Sequence, residues 1–450
     1  MALLCQEGSM LQAVSGQKND VLVAIGNAAQ AFAENNAAVQ QKMTEAYPDA
    51  GEREQARQQI VSGLNEAYLQ ASGSHTDAKW FTPRGALAGL AQSAMNDRAQ
   101  KMPAAAAAVG ASAEAVAALA PLEQFGPLDP GWIECVVDGF QTLFAGKAAF
   151  VQHEALSDFL HPMKDQVTIA LVSDWGASNE AAALVAAQIR KAQPDIVIHL
   201  GDIYYAGQKN EALAMLKGWP LAIAAGNSFA LNGNHEMFSG GRAYFETVLP
   251  AFGQKASYFG LRNASWQILA FDSAYIEQRL LPPADAAKVD ARLESQWNWL
   301  ADKMKNSGLP TILLCHHQPV SAFAQENSDA ATLRSDFQQF TAAAGRGVFG
   351  WFFGHEHRCT IYDDANIPYY ARLIGNGCIP HSPPPANQKP EPGCYSFSRM
   401  NTRAKANGDA VSGFALLKFD GGQIDIRYID EDGALFFEEI WQAPLANAGN

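Results

Sequence analysis

The chain has 450 residues, more than one ordinary core holds, so it reads as two domains or as one large enzyme domain with a substantial extension. Hydrophobic residues make up 48% and charged residues only 17%, a balance that predicts a mostly folded chain. The net charge of -14 argues against a nucleic-acid backbone or an anionic membrane as the main partner. It leaves a phosphate substrate open, because bound cations can dominate the field inside a pocket.

No apolar run approaches the roughly 20 residues that span a bilayer. The opening segment, MALLCQEGSM, lacks a basic stretch followed by an apolar one, so no secretory signal is read there. Cys5, Cys135, Cys315, Cys359, Cys378 and Cys394 are scattered, with no CxxC pair. They read as reduced thiols and, with the missing signal, predict a cytoplasmic protein; signal-independent export is left open.

Residues 1 to about 160 carry helical spacing. Val21, Ile25, Ala28 and Phe32 fall on one face, as do Ile60, Leu64, Ala67 and Tyr68. The Ala-rich run between Pro103 and Pro121 predicts a short helix between two proline breakers. FGPLDPG, at 125–131, is a turn-rich break. The expected division is a helical region, 1–160, of unknown role and a catalytic domain, 161–450.

From Val167 onward, short apolar runs end in Gly, Asp, Asn or His. VTIALV leads to Asp174, IVIHL to Gly201-Asp202, and Phe229–Leu231 to Asn232-Gly233-Asn234-His235. TILLC leads to His316-His317, and Val348–Phe353 to Gly354-His355. Helical stretches at Glu180–Lys191 and Ala291–Lys305 lie between them. Buried strands alternating with helices predict an α/β fold, whose ligands gather beyond the carboxyl ends of strands. The polar residues here follow the runs, so several can converge on one rim. Residues 380–409 predict a long functional loop. Gly413–Phe419, Gln423–Ile429 and Ala434–Ile440 alternate like antiparallel strands.

The candidate metal ligands are Asp174, Asp202, Tyr205, Asn234, His316 or His317, His355 and His357. Each has a bland reading alone: the aspartates as turn residues, the tyrosine as packing, Asn-Gly-Asn as a turn, each histidine as structural. Together they are harder to dismiss. Five of the ten histidines sit in these motifs, and each motif follows a strand-like run. Carboxylates, a phenol, an amide oxygen and imidazoles form a mixed O/N set suited to Fe, Mn or Zn. Seven ligands exceed the needs of one open ion and suit two.

Gly201-Asp202-x-x-Tyr205, Gly233-Asn234-His235-Glu236 and Gly354-His355-x-His357 resemble the signature blocks of the calcineurin-like metallophosphoesterase superfamily, over roughly residues 165–380. Most of that superfamily opens with Asp-x-His; here Asp174-Trp175-Gly176 lacks the histidine. In this, and in a Tyr three residues after the second Asp, the chain resembles purple acid phosphatases.

The resemblance implies a four-layer α/β/β/α sandwich. It implies a first metal on Asp174, Tyr205 and His357, a bridging Asp202, and a second metal on Asn234, His355 and one of His316 or His317. Strand ending favours His316; spacing back from Pro319 favours His317, which otherwise faces substrate. The implied ions are Fe(III) plus a divalent Fe, Zn or Mn, or two Mn. The implied reaction is phosphate-ester hydrolysis by metal-generated hydroxide, with His235 as the catalytic non-ligand histidine beside the phosphate. Glu236 and Arg242 are expected to touch substrate, and Tyr204 and Arg358 are further candidates. Two other readings compete: a phosphodiesterase for nucleotides or phospholipid head groups, and a silent metal-binding scaffold whose helical region binds a partner.

Overall fold

The computed structural model describes residues 147–204, 206–275 and 291–444, together with Thr44, Ala50, Gly51, Arg53 and Glu54. Nearly all of these belong to one compact unit within Ala148–Glu236, Gly241–Glu277 and Val289–Asn450. The helices expected between residues 1 and 146 lie almost wholly outside the described residues. Residues 147–159, the last part of that expected helical region, are extended chain and turns. The reason is aromatic packing: the Phe150 ring stacks 5.8 Å from Tyr258 and lies 5.0 Å from Tyr275, whose hydroxyl donates to the Ala148 carbonyl at 2.6 Å. A helix there would withdraw both contacts.

The fold is α/β, with two mixed sheets. Fourteen strands are described: β1 Leu160–Pro162, β2 Gln166–Val172, β3 Ile196–His199, β4 Ser228–Ala230, β5 Phe259–Arg262, β6 Gln267–Ala270, β7 Thr311–Leu314, β8 Gly350–Phe353, β9 Cys359–Tyr362, β10 Tyr370–Ile374, β11 Phe397–Met400, β12 Gly413–Asp420, β13 Gln423–Asp430 and β14 Leu435–Gln442. One sheet runs β14-β13-β12-β2-β3-β4, the other β1-β5-β6-β7-β8-β10-β9-β11. In the first, β2, β3 and β4 are parallel, so Val172, His199 and Ala230 end on one edge. In the second, β6, β7 and β8 are parallel and end together at Ala270, Leu314 and Phe353.

The core lies between the sheets. Strand side chains alternate faces, and one face of each sheet feeds a single apolar cluster. Ile169, Leu171, Ile198 and Phe229 come from one sheet; Ile268, Ile312, Leu314 and Phe352 come from the other. Trp441, buried in the same cluster, closes it from β14. Each fully buried aliphatic side chain contributes about 1.5–3 kcal/mol.

Helices cover outer faces. Helix α1, Glu180–Ala192, buries Ala181, Ala182, Val185, Ala186 and Ile189, the spacing of a single stripe. Asn179 caps it, accepting from the Ala182 N–H at 2.9 Å. Outside the other sheet, Trp297, on helix α2 at Ala291–Ser307, bridges Phe271 and Phe340. The Trp351 ring meets Phe337 of helix α3, Ala331–Ala344, at 4.7 Å. No described helix is long and apolar enough to cross a membrane.

The segment expected as one loop, 380–409, contains β11, an edge strand pairing antiparallel with β9 through a bulge between Phe397 and Arg399. The rest of the segment is stitched to its neighbours. Glu391 N–H donates to Ala322 and Tyr395 N–H to Ser321, while Ala410 N–H donates to the His381 carbonyl. Its Pro- and Asn-rich composition hides these bonds, because they belong to backbone rather than side chains.

Ile198 is wholly buried at the centre of the core. Ile198→Ala is expected to lower unfolding free energy by about 2–5 kcal/mol. Denaturant titration monitored by tryptophan fluorescence checks it; a change within error would remove Ile198 from the interior assigned to it.

Candidate metal centre

Asp174 and Asp202 follow β2 and β3, Asn234 opens a short helix after β4, and His316 and His355 follow β7 and β8. Because each set of strands is parallel, these five positions come to one rim. Asp174, Asp202 and His355 take φ of 55°, 69° and 70°, the left-handed region that β-carbons disfavour. Such conformations cost about 1–3 kcal/mol each and persist where the surroundings over-determine them.

The surroundings here do so. Asp174 Oδ2 accepts from the Ser173 hydroxyl at 2.6 Å and from the His355 N–H at 3.0 Å, joining the two sheets. Asp202 Oδ1 accepts from the His235 N–H at 2.9 Å. Glu236 takes the Asp202 and Ile203 N–H groups at 3.1 Å and the Gly233 N–H at 3.0 Å. A β-carbon at Gly354 would overlap Ser173 Oγ and lie 2.6 Å from Asp174 Oδ2. One at Gly233 would run into the Asp202 carboxylate and backbone nitrogen. These two glycines of the sequence motifs are required by close approach.

Two groups of donor atoms result. In the first, His316 Nε2 lies 3.0 Å from Asn234 Oδ1, 3.2 Å from Asp202 Oδ2 and 3.2 Å from His355 Nδ1. Asn234 Oδ1 is also 2.8 Å from His355 Nδ1. His316 Nδ1 sits 3.1 Å from the Leu200 carbonyl, which can only accept, so that nitrogen carries hydrogen. This is how proteins orient a ligating imidazole. His317 directs Nδ1 to the Ser273 hydroxyl at 2.9 Å, but also falls within reach of a group with His316 and His355.

In the second group, the Tyr204 hydroxyl lies 2.6 Å from His357 Nε2, 3.1 Å from Asp202 Oδ2 and 3.5 Å from Asp174 Oδ1. His357 Nε2 is 3.4 Å from Asp174 Oδ1. Asp202 Oδ2 thus faces both groups. Tyr205, assigned from sequence to the first metal, lies outside the described residues. Gly176, where the superfamily resemblance leads one to look for a histidine, has φ 107° and a β-carbon there would meet Met215 at 2.6 Å.

The donor set fits cations. Burial alone would depress His316, but Asp202, with Asp174 and Glu236 behind it, lifts it to about 9. A single proton on Nε2 then faces Asn234 Oδ1, Asp202 Oδ2 and His355 Nδ1. Burial, reinforced by His317 and His316, holds His355 well below its ordinary value and so neutral. One proton cannot serve both oxygens at once; a cation can. Asn234 Nδ2 is buried with no hydrogen-bond partner among the described residues.

The remaining expected residues divide. His235 is fully buried, with its ring 4.0 Å from Tyr204 and its Nε2 3.8 Å from Asp202 Oδ2. Glu236, expected to touch substrate, is also fully buried with its carboxylate bonded to backbone beneath the loop. Burial and then Asp202 push it up to about 8. Arg242 is half-buried just ahead of the helical turn Tyr244–Val248. Arg358 lies over the Phe323 ring at 4.1 Å and pairs with Glu356 at 3.2 Å. Sequence reasoning overlooked His381, whose ring stands 6.3 Å from His357. It also overlooked Asp272, which accepts from Asn232 Nδ2 at 3.2 Å and steadies the loop before Asn234. Neither stands in a motif.

Residues 167–359 match the family described as calcineurin-like phosphoesterase. No curated protein matches the chain. Among solved structures, similarity extends to the GAP50 anchor of the inner membrane complex of Plasmodium, at 11% identity over 63% of this chain and 91% of that one, with a TM-score of 0.46. The E. coli phosphoesterase Yfce is similar at 12% identity over 60% and 98%, with a TM-score of 0.27. Vacuolar protein sorting 29 of Cryptosporidium parvum is similar at 10% identity over 62% and 98%, with a TM-score of 0.31. The buried Asp and His groups of this segment are consistent with a dinuclear metal site.

Two outcomes follow from this geometry. A cation needs the neutral His316 imidazole, whereas the metal-free protein keeps it protonated up to about 9. Metal affinity is therefore expected to rise with pH, by up to about tenfold per unit from this group, and to level off above about pH 9. Titration calorimetry in buffers of different ionisation enthalpy reads the released proton; zero release at pH 7 contradicts it. Gly354→Ala is expected to destabilise the metal-free protein by about 1–3 kcal/mol and to reduce bound metal. Thermal melting and elemental analysis check both.

Proposed function

We propose that the chain hydrolyses phosphate esters at two cations held on this rim, in the manner of purple acid phosphatases. The observation that carries the proposal is Asp202 Oδ2, a single buried carboxylate oxygen facing His316 Nε2 on one side and the Tyr204 hydroxyl on the other. A shared carboxylate is how two cations are kept near enough to act on one phosphoryl group. We assign Asp174 and His357 to one cation, with Tyr205 or its neighbour Tyr204 beside them. Asn234, His316 and His355 go to the other, with Asp202 between. His316 is preferred over His317 because its Nε2 stands against Asn234, Asp202 and His355 together.

Bound there, cations would polarise phosphoryl oxygens and acidify water. The chain supplies the rest. Asn234 Nδ2 offers a buried donor to a phosphoryl oxygen. His235, held by Tyr204 and by its own N–H bond to Asp202, stands to protonate the leaving oxygen. Glu236 bonds the N–H groups of residues 202, 203 and 233 and so fixes the loops that present these side chains. The catalytic part is assigned to residues 161–450, and its two sheets with their helices support the four-layer architecture.

Aryl phosphate monoester and diester hydrolysis, with Fe, Mn or Zn supplied and with chelator added, tests the reading. Chelator is expected to abolish turnover, with the monoester favoured. His235→Ala is expected to lower kcat by about 10²- to 10⁴-fold while metal content stays unchanged. Absence of turnover with every metal would leave a silent scaffold; loss of metal in His235→Ala would make His235 a ligand.

A further inference from the structure

The segment after β10 brings one more imidazole beside the donor rim. His381 is half-buried, and its ring stands 6.3 Å from that of His357, whose Nε2 faces the Asp174 carboxylate. Backbone bonds fix its place. The Ala410 N–H donates to the His381 carbonyl, and Asn179 Nδ2 donates to the Cys378 carbonyl at 2.9 Å. His381 Nδ1 lies 3.2 Å from the Ile379 carbonyl. A carbonyl can only accept, so Nδ1 carries the hydrogen. Burial, with His357 next, favours the neutral ring, and a cation bound at His357 acts in the same direction. Nε2 is then a bare lone pair, and it has no hydrogen-bond partner among the described residues. The charged groups that also bear on this ring are paired: Arg358 with Glu356 at 3.2 Å and Lys405 with Glu431 at 3.3 Å. The flank they make with His381 therefore offers little positive charge to a second phosphate or a carboxylate. What it offers is an acceptor, which repels an anionic oxygen and pairs with the hydrogen of a hydroxyl.

We propose that His381 Nε2 accepts a hydrogen bond from a hydroxyl on the alcohol portion of the substrate, so that the chain favours phosphate esters of polyols, such as glycerol or a sugar, over those of plain alcohols. The inference rests on the phosphoesterase reading above and names the class of its substrate. In the free protein, water can donate to Nε2. A hydroxylated alcohol portion replaces that water and keeps the bond. A hydrocarbon portion displaces the water and leaves the lone pair without a donor, and this loss is what discriminates.

The test uses the full, metal-loaded chain with glycerol 3-phosphate and propyl phosphate, which share a carbon chain and differ only in hydroxyls. Wild type is expected to prefer glycerol 3-phosphate in kcat/KM by about tenfold, the worth of one neutral hydrogen bond. His381→Ala is expected to bring that ratio close to one. Should His381→Ala fail to fold, judged by circular dichroism, His381→Phe, which keeps a ring but no acceptor, takes its place. Independently of turnover, NMR of the zinc-loaded protein with nitrogen-labelled histidine reads the tautomer, the variant identifying the His381 resonance. Hydrogen on Nδ1 is expected. Equal kcat/KM for the two esters in wild type, a ratio that the variant leaves unmoved, or hydrogen found on Nε2 overturns the inference and leaves the phosphoesterase reading standing. A variant that slows both esters equally also overturns it, since His381 would then act on something the two substrates share. No turnover of either ester with any metal sinks both.

Discussion

Parallel strand pairing is the constraint on which the site depends. β2, β3 and β4 must end together, as must β7 and β8, because each register is fixed by ladder bonds and by an apolar face turned to a common core. A register slip of one residue would turn every core side chain outward. The same slip would carry Asp174 or Asp202 off the rim. Stability of the interior and placement of the donors are therefore one property of the chain, and five short loops inherit their positions from it.

What those loops then do is unfavourable locally. They place Asp174, Asp202 and His355 in left-handed backbone and set several lone-pair donors against each other away from water. The compensation is built from groups that take no part in the proposed chemistry. Ser173 holds Asp174, Asp272 holds the loop at Asn232, and Glu236 holds three N–H groups in two loops. Glu236 is the clearest case: burial raises it to about 8, the cost of a carboxyl used as an internal clasp. Cations would relieve the crowding of acceptors that this scaffolding enforces.

Much of this was legible in the sequence, for a physical reason. A buried parallel strand is a short apolar run, and a strand-end loop starts at a polar or glycine residue; β2, β3, β4, β7 and β8 all read that way. The antiparallel β12 to β14 were visible through alternation. Strands such as FGLR at β5 and CTIY at β9 were not, since four mixed residues carry no period. Glu236 looked like a substrate residue because it adjoins His235; its true partners, Asp202 and Ile203, are more than thirty residues back in the chain. Nothing in composition singled out Tyr204, whose hydroxyl reaches His357, Asp202 and Asp174 only because of the turn after β3.

The stitching of residues 378–410 has a consequence for rigidity. Glu391 and Tyr395 donate backbone bonds to Ala322 and Ser321, and Ala324 donates to the Glu391 carboxylate at 2.6 Å. At the far end His381 is tied by Ala410, and Cys378 by Asn179. Each such bond contributes about 1 kcal/mol net, and displacing the segment breaks several at once. A stretch with little regular structure is in this way moored at several points along its length.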